Sequence, residues 1–280
     1  MTERLADISA RIDGISQLGA VVNAMRGIAA ARAQQAIGQL QAADSHAATI
    51  AAAISRVLSM LPVPAPQATA TPDTALVVFC AEQGFVGAFS EHVLDAIGAE
   101  LAHTKLLVIG TRGLAMLAER GIAPLWSGAM PGHTQGIPRL ADHIAEAVYA
   151  RVASGEIGNL DAVFSHRGED RLVHVQRRRL FPLDPAAFAR SAPGNPPLLT
   201  QKPEFLLREL TAEYLHAQLC AIALHAFAAE NEARMEAMAM AHGQIDRQLG
   251  ELQATQRRVR QDEITAEIIE LAAGSMTRWG

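Results

Sequence analysis

The sequence predicts a protein of mixed class, α+β overall with an α/β insert. Its amino- and carboxyl-terminal helices form a long antiparallel coiled coil, and a small α/β domain lies between them. Three observations predict this. Apolar or small residues recur at alternating steps of three and four through about the first sixty residues. The same lattice returns near the carboxyl end, and the segment between changes to short β-type runs, each followed by glycine and a helical pattern.

The first lattice reads Leu5, Ile8, Ile12, Ile15, Gly19, Val22, Arg26, Ala29, Ala33, Ala36, Leu40, Ala43, Ala47, Ile50, Ile54, Val57 and Leu61, and only Arg26 is neither apolar nor small. Steps of three and four turn one seam of a helix toward another helix in a left-handed supercoil. Pro62, Pro64 and Pro66 offer no amide proton to continue the ladder, so the helix is predicted from about residue 3 to 61. The second lattice reads Leu207, Leu210, Tyr214, Ala217, Ala221, Leu224, Ala228, Asn231, Met235, Met238, His242, Ile245, Leu249, Leu252, Gln256 and Val259. Pro203 suits a first helical turn, Glu204 suits the positive end of the helix dipole, and no later proline interrupts a helix from about 203 to 275. A helix of about 70 residues rises roughly 100 Å, whereas a compact domain of this size is only about 40 to 50 Å across, so other chains are expected to sheathe it.

The middle is predicted as a βα-type sheet: strands at Leu76–Cys80, Lys105–Ile109 and Asp161–Ser165, and a return strand at Leu172–Leu180. Helices are expected at His92–Leu101, Leu114–Glu119 and Pro138–Ala153, with the first strands parallel. The expected division is a helix at 1–61, a proline-rich linker at 62–75, the α/β domain at 76–181, a linker at 182–202 and the second helix at 203–280.

Half of the 280 residues are apolar but only 4% are aromatic, and alanine supplies much of the apolar share, which favours slender, closely approaching helices. A net charge of −5 argues against nucleic acid as a partner. Cys80 and Cys220 make no disulfide framework, and a reducing compartment is expected. No run is long and apolar enough to span a membrane, and Glu3 and Asp7 argue against a transit peptide, so the expectation is bacterial cytoplasm.

Candidate chemistry is sparse. There is no G-x-x-x-x-G-K-[ST] loop, so ATP hydrolysis by this chain alone is not expected. Glu82-Gln83-Gly84-Phe85-Val86-Gly87 and Gly110-Thr111-Arg112-Gly113 are read as tight turns whose glycines supply positive φ, not as phosphate cradles. His46 and His242 lack partners at metal-binding spacing, so no metal, cofactor or catalytic residue is assigned. Arg177-Arg178-Arg179 is read as a solvated strand edge, and Met235, Met238 and Met240 mainly as seam packing. Arg257 to Glu263, with its adjoining charges, is a candidate partner contact.

Glu232-Ala233-Arg234-Met235-Glu236-Ala237-Met238, then Arg260 to Ile268, then Glu270-Leu271-Ala272-Ala273-Gly274, closely resembles the carboxyl-terminal signature of the F-type ATP synthase gamma subunit. Asn23 to Arg32 is similar to the first-helix motif of that family, and Glu82 to Phe89 to its turn after the first strand. The resemblance implies a central rotor shaft inside a ring of alpha and beta catalytic subunits, with its foot on the epsilon subunit and the c subunits of the membrane rotor ring. It places Met25, Arg32 and Arg234 where the shaft meets the beta subunits, and Arg260, Gln261, Thr265 and Glu267 deep in the ring. It further implies no catalytic site here, coupling of ion flow to ATP synthesis or hydrolysis, and a peripheral place on the cytoplasmic side of the bacterial inner membrane.

Ala239 to Gln244 departs from the Asp-, Asn- and Thr-rich run usual there, and Gln34, Gln35, Gln39 and Gln41 stand where basic residues are common. These departures resemble the alternative bacterial type of the enzyme, sometimes sodium-linked. The rival expectation is a coiled-coil adaptor outside any ATPase, and a small-molecule enzyme built on the Gly84–Gly87 turn is a second rival.

Overall fold

The structure is a computed structural model that describes residues 2–61, 73–168, 173–183, 188 and 198–276. Most of the linkers expected at 62–75 and 182–202 lies outside the described residues, as does Leu172. The elements are α1 (Thr2–Leu58), β1 (Thr74–Phe79), α2 (Phe89–Ile97), β2 (Lys105–Ile109), α3 (Thr111–Glu119), β3 (Trp126–Gly128), α4 (Ile137–Ala153), β4 (Asn159–Arg167), β5 (Val173–Phe181) and α5 (Pro203–Met276). Long helices at both ends and a small mixed sheet between them bear out the expected fold class. The chain forms two compact units, one of residues 1–28 with 235–280 and one of residues 29–234.

In the larger unit the sheet runs β3-β2-β1-β4-β5. The first four strands are parallel, and β5 returns antiparallel to β4. Both faces are covered, which is why these strands read as unbroken apolar runs instead of alternating ones. Val77, Phe79, Leu107, Ile109 and Phe164 pack with Leu140, Ile144 and Val148 of α4 and with Leu219, Ile222 and Phe227 of α5. On the opposite face Leu76, Val78, Leu106, Val108 and Val163 meet Val93 and Leu94 of α2 and Leu117 of α3. Each large side chain fully buried in these layers contributes about 1.5–3 kcal/mol.

α1 and α5 pack antiparallel inside each unit. In the larger one Ala47, Ile50 and Ile54 share a cluster with Leu207, Leu210, Tyr214 and Ala217, while Ala36 and Leu40 pack near Leu224. In the smaller one Ile15, Val22 and Met25 pack with Met238, Ala241, Ile245 and Leu249, and the Gln256 amide donates to the Ser9 hydroxyl at 2.9 Å. Every seam position named from the sequence is buried or half-buried except Arg26. There Met25, one residue earlier, faces the cluster, while Arg26 is exposed and donates to Asn23.

Several readings of the middle change, and α2 and α3 each begin three residues before the expected starts at His92 and Leu114. β3 was not anticipated, because three residues are too few to display a period. The Arg177–Arg179 run is not merely a solvated edge. Arg177 Nε donates to Asp161 at 2.8 Å, and its Nη1 donates to Glu100 at 2.8 Å. Arg179 also donates to Asp161, which is buried, and Arg178 lies 5.2 Å from the ring centre of Phe164. The β4–β5 register sets Asp161 opposite Arg179, so the edge arginines neutralise a carboxylate that burial would otherwise make costly.

Candidate functional site

The carboxyl ends of the parallel strands carry a dense polar construction. Open α/β sheets bind ligands where successive connections leave a strand in opposite directions. Here that place is between β1 and β4. α5 fills it. Glu230, 3% exposed, accepts from the amides of Glu82 at 3.2 Å and Gln83 at 3.3 Å, and pairs with Arg234 one helical turn along. Arg234 in turn donates through Nε to the carbonyl of Gly84 at 3.3 Å and through Nη2 to that of Gln83 at 3.4 Å. Its Nη1 donates to Asn231 at 3.0 Å, and the Asn231 amide is held by the Phe227 carbonyl at 2.8 Å. The carboxylate and guanidinium thus grip the turn after β1 by its amides and its carbonyls together.

The grip continues outward from that turn. Glu82 accepts from the amides of Thr111 at 3.2 Å and Met130 at 2.9 Å, while the Thr111 hydroxyl donates to the Glu82 carbonyl at 2.7 Å. The turns after β2 and β3 are tied in this way to the turn after β1, and Arg167 at the end of β4 pairs with Glu232 of α5. One short stretch of α5 therefore collects the ends of all four parallel strands.

The amides of Glu82 and Gln83 face the chain's own carboxylate and are not free for a phosphate. The glycines do the work of close approach and turning, though not at every expected position. Gly87 has φ +58°, but the other left-handed residue of that turn is Phe85, at φ +61° and largely exposed, rather than Gly84. A Cβ at Gly113 would stand 2.4 Å from Cβ of Cys80, and one at Gly110, where φ is +100°, 2.3 Å from the Cys80 carbonyl oxygen. Burial, then the charge of Glu230, push the Cys80 thiol up to about 12. Cys220 is pushed up to about 11 by burial and by Asp142 and Glu213. Both thiols therefore stay protonated near neutral pH, unlike reactive thiolates.

The residues assigned to partner contact fall into three settings. Met25 and Arg32 are half-buried on α1, and Arg234 is buried in the network above. Arg260, Gln261, Thr265 and Glu267 are exposed on α5, where the Thr265 hydroxyl bonds back to the Gln261 carbonyl at 2.8 Å. Glu230 was missed as a site residue: its spacing from Arg234 was visible, but its other partners lie about 150 residues away in sequence. Among the described residues no group of histidine, cysteine and carboxylate side chains could hold a metal ion, and no helix is long and apolar enough to cross a membrane.

A family model described as ATP synthase matches residues 4–277. The chain belongs to the ATP synthase gamma-chain family. Relatives within this family include the ATP synthase gamma chain of Symbiobacterium thermophilum, 24% identical over 284 residues and 98% of each chain. The gamma chain of Frankia casuarinae is 29% identical over 294 residues, again 98% of each. Among solved structures, the chain is similar in fold to a chain of the Euglena gracilis mitochondrial ATP synthase OSCP/F1/c-ring assembly, with TM-score 0.65, 13% identity and 99% and 95% of the two chains covered. A chain of the Euglena gracilis rotor gives TM-score 0.64 at 11% identity, covering 94% of this chain and 100% of that one.

Proposed function

We propose that this chain is the central stalk of an F-type ATP synthase, turning inside a ring of alpha and beta subunits and coupling ion flow through a membrane rotor to ATP synthesis or hydrolysis. The observation that carries this reading is the family match over residues 4–277, joined to two uninterrupted terminal helices of 57 and 74 residues. In this reading 1–61 and 203–280 serve as the shaft, 76–181 as the side domain, and 62–75 and 182–202 as connections. The chain is a non-catalytic subunit and sits peripherally on the cytoplasmic side of a bacterial inner membrane, with its foot on the epsilon subunit and the c ring. An asymmetric shaft presents different faces to three identical catalytic sites, so each step of rotation gives each site a different affinity.

Met25, Arg32, Arg260, Gln261, Thr265 and Glu267 are assigned to contact with the ring. Arg234 contributes by holding the turn that presents Phe85. Exposed Ile264, Ile268, Ile269 and Leu271 give the distal part of α5 an apolar surface suited to a sleeve that does not lock it in one orientation. Co-expression with alpha and beta subunits provides the test. The chain should co-purify with them and, with epsilon and the c ring in vesicles, make ATP hydrolysis drive ion uptake. Failure to assemble, with the partners otherwise competent, would favour the adaptor reading instead.

A further inference from the structure

The polar network at the sheet's carboxyl edge is more than a fold-stabilising ion pair, because of what it joins. Glu230, Asn231, Glu232 and Arg234 lie within five consecutive residues of α5. Through them α5 holds the turn after β1 directly and the turns after β2 and β3 through Glu82, while Arg167 ties in the end of β4. The bonds to the β1 turn run both ways, amides to carboxylate and guanidinium to carbonyls, so turning the helix about its axis or sliding it along that axis must break them. Elsewhere α5 meets the α/β unit through apolar packing, as at Leu219, Ile222 and Phe227, which is non-directional, and through side-chain ties nearer the surface, Arg178 to Gln218 and His216 to Asp142, none of which grips backbone amides and carbonyls together.

We propose that Glu230 and Arg234 are positioning residues forming a fixed torsional joint, through which the α/β unit holds α5 against twisting load. The joint rests on the central-stalk reading, since only a shaft under load needs one. Charge-assisted hydrogen bonds between buried side chains and a turn suit the task, being directional and costly to leave unmade. Glu82 extends the joint: with its carboxylate on two further turns, load reaching the β1 turn spreads across three strands instead of one.

The experiment uses the assembled complex with a bead attached at Tyr149→Cys, an exposed position on α4, in a chain also carrying Cys220→Ser. The angular spread of the bead is recorded while the catalytic ring is stalled. Glu230→Gln, which keeps shape but removes the charge, should roughly double the angular variance, and Glu82→Gln should widen it less. Glu230→Asp, retaining the charge one methylene short, should recover part of the stiffness. Asp161→Asn is the comparison for a merely structural role: it removes another buried carboxylate of the same unit and should lower the melting temperature without widening the spread. Equal variance in Glu230→Gln and the unsubstituted chain would overturn the joint. So would equal widening in Asp161→Asn. If Glu230→Gln does not assemble, Glu82→Gln decides alone, widened variance supporting the joint and unchanged variance overturning it. Failure of the unsubstituted chain to rotate at all would instead sink the central-stalk reading.

Discussion

Two stretches of α5 share one seam pattern and live in different surroundings. From Leu215 to Arg234 every residue is buried or half-buried, with α1 and the sheet both packed against the helix. From Asp246 to Leu271 only the seam residues Leu249, Leu252, Gln256 and Val259, with Glu263 and Ala266, are half-buried, and the rest are exposed. Steps of three and four therefore specify where the companion helix lies, but not whether anything covers the other sides. What marks the enclosed stretch is its continuous apolar run, Leu219-Cys220-Ala221-Ile222-Ala223-Leu224, since a helix apolar all round must be buried all round. The distal stretch intersperses charge with exposed isoleucines, Ile264, Ile268 and Ile269.

Substitutions can break or sharpen this contrast. The largest effect is expected in the enclosed stretch, where Glu230 and Arg234 side chains are 5% and 7% exposed. Arg234→Ala leaves a buried carboxylate unpaired and should cost about 3–5 kcal/mol in chemical denaturation. A cost below about 1 kcal/mol would mean that water reaches the pair. Next comes Gly113→Ala, whose added carbon collides with Cys80 and should cost about 1–3 kcal/mol, read as a lower melting temperature.

A smaller, pH-dependent effect is expected at His225 on the enclosed stretch. Burial lowers its pKa first, Arg178 and His166 lower it further, and Asp44 opposes them. Because the folded-state pKa lies below the unfolded one, the stability linked to this group is complete above about pH 6.5 and is lost as pH falls through the folded value. His225→Phe should flatten the decline in melting temperature on the acid side of pH 6.5, and an unchanged slope would remove the group from the account. In the distal stretch Gly250 has open space around it, so Gly250→Ala should stabilise by about 0.5–1 kcal/mol through helix propensity alone. Least of all, Arg260→Gln should shift stability by under about 0.5 kcal/mol, since the side chain is exposed. Its effect should instead appear in coupled ATPase of the assembled complex, and a loss of fold stability would contradict that separation.

Much of the fold was legible because its main signals are local. The seam positions, the parallel strands β1 and β2 and the extent of α4 follow from spacing within a few turns or a single strand. What sequence reasoning missed depends on distant pairings. Asp161 could not be matched with Arg177 and Arg179 without the β4–β5 register, and Glu230 could not be joined to the β1 turn without the docking of α5 on the sheet. The expected start of α2 at His92 fell late, because Phe89 and Ser90 at its true beginning are committed to burial and to a bond from the Ala81 amide. Arg234 was not readable as an internally bonded residue, since i and i+4 spacing shows one partner and hides the backbone carbonyls that complete its shell.

Ala29, Ala33 and Ala36 are almost wholly enclosed along one side of α1. A methyl group has no rotamers to rearrange, so neighbours pressed against it cannot accommodate bending by reshuffling side chains. Flexing that part of the helix would have to shift backbone against backbone, which gives it the stiffness of a rod built from the narrowest available parts.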